Sequence, residues 1–133
     1  MGHSYNNGLH TTSKGITIDA VRIVGMDGAT QTIAEDCKSG LVTGCTKGAT
    51  GVYVLQLSKP YPPKIVICQP SMSNADGVTD LRFPTYDTAG YSATNGTITI
   101  RVSNDDDAGA PVLADGSATD ELHVLMMFNR YTT

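Results

Sequence analysis

Tryptophan is absent from this 133-residue chain, and phenylalanine occurs only twice. A core must therefore be built from Val, Ile, Leu, Tyr and Met. Such a core is modest, and association between copies is a common way for a β protein to gain stability. Charge is sparse as well: 17 % of residues are charged, with a net charge of −4. Lysines and arginines are scattered singly, leaving no phosphate-tracking patch, so nucleic acid is not expected as a partner. No apolar run approaches the roughly 20 residues of a spanning helix, so no membrane partner is expected. The opening stretch MGHSYNNGLHTTSKG lacks the apolar centre of a secretory signal. Asn6 and Asn7 stand where a myristoylation motif has Ser or Thr. The expected place of synthesis is a cytoplasm.

Catalytic motifs are missing too. The chain holds no G-x-S-x-G, no G-x-x-x-x-G-K-[ST] and no G-x-G-x-x-G, and the expectation is a protein that is not an enzyme. Three cysteines, Cys37, Cys45 and Cys68, cannot close into a disulfide set. The seven residues between Cys37 and Cys45 fit no common zinc spacing. Cys68, within an apolar run, reads as a small buried hydrophobe. Reduced thiols, no metal and no cofactor are expected.

What the chain does have is Gly (14) and Pro (6) spread along its length, a pattern suited to many short strands with tight turns. The organising stretch is Gly51–Pro70, GVYVLQLSKPYPPKIVICQP. Side chains alternate across a strand, which sets Tyr53, Leu55 and Leu57 on one apolar face and Ile65 and Ile67 on another. Pro60, Pro62 and Pro63 cannot continue a ladder between them, because proline has no amide donor and a fixed φ. Ile16–Val24 predicts a further strand whose alternation slips, as at a bulge or in a strand buried on both faces. Gln31–Ser39 predicts a short helical turn, and in Val78–Tyr86 Pro84 places a strand at a sheet edge or marks the strand's end. Asn95-Gly96 predicts a type I′ hairpin turn leading into Thr97–Val102, with Ile98 and Ile100 inward. Ser103–Thr119, acidic and Gly-rich, predicts a mobile surface loop. Leu122–Phe128 is almost wholly apolar, as a central or interface strand would be. The sum is an all-β chain: residues 1–14 form a flexible N-terminal arm, and 15–133 form one domain. Its expected fold is an antiparallel, jelly-roll-like β-sandwich of about seven or eight short strands, with a small closed barrel as the alternative.

Candidate sites are few. Asn104-Asp105-Asp106-Asp107 clusters carboxylates but lacks the spacing of a calcium loop, and reads as a solvated loop. His3 and His10 fall in the arm. His123 lies beside Asp120 and Glu121, where a carboxylate can raise a histidine pKa. Tyr86 and Tyr91, flanked by Asp87, Asn74 and Asn95, are the only residues resembling a sugar-binding platform.

GVYVLQLSKPYPP together with the terminal DELHVLMMFNR resembles small virion proteins of tailed bacteriophages, the capsid decoration or cement proteins. The resemblance covers roughly residues 48–70 and 95–131. It implies a β knob, often a homotrimer, that binds the major capsid protein on the outer head shell and stabilises it. On that resemblance Tyr5, Asn6, Asn7, Leu9 and His10 of the arm contact the shell. Leu122, Val124, Met126 and Phe128 help form the subunit seam. The location implied is the capsid surface of the virion. A carbohydrate-binding module, or a fibre-tip or tail accessory module, is the rival reading.

Overall fold

The computed structural model describes residues 15–74, 81–104 and 112–129. Within them run ten strands: β1 Ile16–Val24, β2 Thr30–Ile33, β3 Val42–Ala49, β4 Val52–Leu57, β5 Lys64–Ser73, β6 Arg82–Thr85, β7 Tyr91–Ser92, β8 Thr97–Asn104, β9 Val112–Leu113 and β10 Glu121–Asn129. The expected helical turn is reduced to Glu35–Cys37 after β2. The strands form one antiparallel sheet in the order β5-β10-β1-β2-β3-β4-β8-β6, with β7 and β9 pairing on β8. Among the described residues no helix is long and apolar enough to cross a membrane.

The all-β expectation holds, but two separate sheets do not appear. The reason is β2, which pairs with β1 through Thr32 and Ile33 and with β3 through Thr30 and Gln31. This short corner strand carries the ladder from one half of the molecule to the other, so a single sheet curls around one core. That core consists of alternate residues of the long strands. Val21, Ile23, Tyr53, Leu55, Leu57, Ile98, Ile100, Leu122, Val124, Met126 and Phe128 are all buried. Each such aliphatic side chain, taken fully out of water, stabilises by about 1.5–3 kcal/mol.

The curl brings the two ends of the sheet, β5 and β6, together. Although consecutive in the chain, they share no ladder among the described residues. Each carries a proline, Pro70 and Pro84, and so lacks an amide donor at that point. Their contact is made instead by side chains. The Asn74 amide oxygen accepts from the Arg82 backbone N–H at 2.8 Å. Tyr86 and Tyr91 pack on the core, the Tyr91 ring lying 5.9 Å from Phe128.

Polar anchors fix the loops over the open ends of the curl. The buried Tyr53 hydroxyl donates to the Met26 carbonyl (2.6 Å) and accepts from the Gly116 amide (2.9 Å). The Asp19 carboxylate accepts from the Ser39 hydroxyl (2.6 Å) and the Leu41 amide (3.0 Å). Asp115 accepts from Lys47 Nζ (2.7 Å) and from the Gly51 amide (2.8 Å). The loop expected over Ser103–Thr119 is thus held in its second half: β9 pairs with β8, and residues 115–116 bond to the core. Gly51 is there of necessity, with φ +68 and the positions of Val102 O and Ala114 N only 2.5 and 2.8 Å from any Cβ.

The structure decides three details of the sequence reading. Of the rigid turn or crossover that the prolines between β4 and β5 allow, it has the crossover, from the middle of the sheet to its edge. The turn at Asn95-Gly96 is not type I′, since Gly96 alone takes a positive φ (+67). β1 pairs with β10 from Ile16 to Ile23 without a register shift, so the expected bulge is not in β1. It lies in β5.

Candidate docking face

In antiparallel pairs, directly opposed residues share a face. The register β1–β10–β5 therefore reads as rows of outward side chains: Ile18–Met127–Ile67, Ala20–Leu125–Gln69 and Arg22–His123–Ser71. Opposite Phe128 stands Ile65, but opposite Met127 stands Ile67, so Val66 is the additional residue of a bulge. A bulge reverses the in–out alternation beyond it. Ile67, expected inward with Ile65, is turned outward next to Val66, and Cys68 packs on the core instead. Val66 is 54 % exposed, Ile67 42 % and Leu125 44 %. These three form the centre of an apolar patch on a rigid three-strand platform.

The patch has a polar margin at both ends of the strands. At one end Arg22 bonds Glu121 at 2.7 Å and also pairs with Asp36, whose carboxyl pKa is lowered by the bond from Arg22. His123 sits beside them, its Nε2 3.1 Å from the Ser73 hydroxyl. At the other end stands exposed Lys64, opposite Asn129. An apolar centre with a hydrogen-bonding rim is the usual anatomy of a protein–protein contact.

The Ser73–His123–Glu121 grouping superficially resembles a hydrolytic relay. However, Glu121 Oε2 lies 4.0 Å from the same Nε2 that meets Ser73. A relay needs the carboxylate on the opposite ring nitrogen, where it orients the base. Here the carboxylate is also held by Arg22. The group is a surface hydrogen-bond network.

The other candidate residues have structural tasks. Leu122, Val124, Met126 and Phe128, expected at a subunit seam, point into the chain's own core and are 0–2 % exposed. The residues β10 offers outward are His123, Leu125 and Met127. Of the residues proposed as a sugar platform, the Tyr91 hydroxyl donates to the Pro62 carbonyl and Asp87 pairs with Arg101. Asn74 bonds Arg82, and Asn95 lies on the turn before β8. Tyr86 borders a groove of about 580 Å³ along the β5–β6 seam that Cys68, Ser71, Thr85 and Leu125 also line. Burial pushes the Cys68 thiol pKa up to about 12, which keeps the sulfur protonated and unreactive at neutral pH. Cys45, in the core, is shifted up to about 12 for the same reason. All three cysteines are free. Tyr5, Asn6, Asn7, Leu9, His10 and His3 lie outside the described residues, as do Asp105, Asp106 and Asp107.

Val66, Ile67, Leu125 and Met127 were not singled out as surface groups by the sequence pattern. One signal did point to Leu125 and Met127: the continuous apolar run Val124–Phe128 of β10, which a strand facing water on one side does not need. The bulge itself left no signal, because KIVIC is apolar in either register. The chain matches no family model, no curated protein and no solved structure.

Proposed function

We propose that this chain is a non-enzymatic structural protein that works by assembly, in its specific form a capsid decoration protein on the outer head shell of a tailed phage. The observation carrying the reading is the outward face of β1, β10 and β5, apolar at its centre and rimmed by Arg22, Glu121, His123 and Lys64. Exposed apolar side chains grouped on a rigid platform gain free energy when another surface excludes water from them. The polar residues nearby are engaged with one another, which suits them to fixing orientation. The partner on this reading is the major capsid protein, and the location is the virion surface. The resemblance of GVYVLQLSKPYPP and DELHVLMMFNR supplies the phage setting, and the apolar face marks a chain that works by contact between protein surfaces.

The test is co-sedimentation of the purified chain with empty, expanded heads built from the major capsid protein encoded in the same genome. Saturable recovery with the shells, reduced at least about tenfold in affinity by Leu125→Asp, is the expected result. Recovery only at the top of the gradient, or a genome encoding no capsid protein, overturns the reading.

A further inference from the structure

We propose that the outward face of β1, β10 and β5 takes a second copy of the same chain, packed face to face about a two-fold axis that lies in the contact plane and crosses the strands. The inference rests on the assembly reading and names the occupant of its face. Two observations support it.

The first is area. A half-exposed Val, Ile or Leu leaves roughly 50 Å² of apolar surface, judged from the transfer free energy of such a side chain. Val66, Ile67 and Leu125 at about 50 Å² each, with the less exposed Ile18 and Met127 at about half that, offer about 200 Å² per copy, or about 400 Å² in a pair. Contacts between proteins are a little over half apolar, so this centre corresponds to a total of about 700 Å², below the floor of about 1,000 Å² for a stable pair. A patch of this size suits a weak contact between copies and not an obligate, permanently folded dimer. A reversible, concentration-dependent pair follows.

The second is charge, which selects the axis. Lys64 stands at one end of the face. At the other end Asp36 and Glu121 share the one guanidinium of Arg22, leaving that end net negative. An axis along the strands would set like ends together. An axis across the strands sets Lys64 of one copy over the Asp36–Glu121 end of the other, twice by symmetry, with Leu125 and Met127 near the axis.

The experiment is sedimentation velocity of the full chain from about 1 to 500 µM, a range chosen to bracket a contact of this size. The expected result is a monomer–dimer equilibrium. Leu125→Thr and Lys64→Glu should each weaken it, by at least about tenfold for the first and several-fold for the second. Lys64→Arg should leave it intact. Unchanged thermal melts verify that the variants fold. A monomer across the whole range overturns the inference, and so does a dimer indifferent to both weakening substitutions. A trimer overturns the two-fold while leaving the assembly reading standing. Shell co-sedimentation decides that reading separately, since a monomer that still binds heads would assign the face to the capsid instead.

Discussion

β8 and β10 are the same strand twice on their inner sides and opposites on their outer sides. β8 (TITIRVSN) buries Ile98, Ile100 and Val102 completely, and β10 (ELHVLMMFN) does the same with Leu122, Met126 and Phe128. Both lie between two neighbours in the curled sheet. Yet the outward residues of β8 are Thr97, Thr99 and Arg101, whereas β10 shows His123, Leu125 and Met127. Burial on the core side cannot account for this difference, because both strands bury their inner residues in the same core. On the docking reading proposed above, the outer face of β10 is the one that meets another surface; beside β8 the exposed apolar residues are Phe83 of β6 and Val112 and Leu113 of β9. Threonine at Thr97 and Thr99 suits a solvated strand. A leucine 44 % exposed in the middle of a strand gains nothing from water.

The largest expected effects test the inner equivalence. Ile100→Ala in β8 and Met126→Ala in β10 each remove a fully buried side chain, and each should cost about 2–5 kcal/mol in urea denaturation. A cost for Met126→Ala several-fold below that for Ile100→Ala would mean that the β10 side of the core is loosely packed, and the comparison would fail. Next comes the β3–β4 hairpin, where the Gly51 carbonyl accepts from the Val102 amide of β8 (2.7 Å). Gly51→Ala imposes a side chain on φ +68 and drives it toward Val102 O and Ala114 N. Backbone strain of that kind costs about 1–3 kcal/mol, before the collision is added. The loss should appear as a lowered midpoint with the m-value unchanged.

Much of this was visible in the sequence, and what was hidden was hidden for a physical reason. Alternation is a local signal, so Tyr53, Leu55 and Leu57, like Ile98 and Ile100, were placed correctly on the core side. The edge position of β6 followed from Pro84. Pairing partners are not local, and nothing in TQTI announces a four-residue corner strand that joins β1 to β3. Nor does KIVIC reveal its bulge, since every residue around the inserted Val66 is apolar except Lys64. The β10 run carried mixed information. Its continuous apolar character suggested an interface, but the seam was assigned to Leu122, Val124, Met126 and Phe128, the face that the core claims.

Exchanging outer residues sharpens the comparison at little cost in stability. Leu125→Thr gives β10 the surface of β8, and Thr99→Leu gives β8 that of β10. Neither touches the core, so both should change folding stability by no more than about 0.5 kcal/mol. Their effects on association should be opposite. Light scattering of concentrated solutions should show Leu125→Thr losing self-association and Thr99→Leu gaining it. If Thr99→Leu stays as monomeric as Leu125→Thr, exposed apolar character alone is insufficient, and the rim charges of the β10 face become the deciding element.

The smallest effects concern carboxylates, one in each half of the molecule. Burial works against the charged form of Asp115, but the bonds from Lys47 and from the Gly51 amide outweigh it and hold its pKa below the ordinary value. A carboxyl whose pKa is lowered on folding contributes stability that is complete above its unfolded pKa, about 4, and that drains away as pH falls through the folded value. Asp36, on the β10 side, is lowered by its bond to Arg22, but its side chain is 73 % exposed against 33 % for Asp115. Solvent screens the exposed pair more strongly. Urea midpoints measured from pH 6 to pH 2 should therefore flatten more with Asp115→Asn than with Asp36→Asn. Both variants should converge on the parent protein at the acid end, where the carboxyls are protonated in every form. The reverse order would mean that the acid-sensitive tie lies at the rim of the docking face and not at the Gly51 hairpin, and the half with the exposed apolar patch would then be the first to loosen in acid.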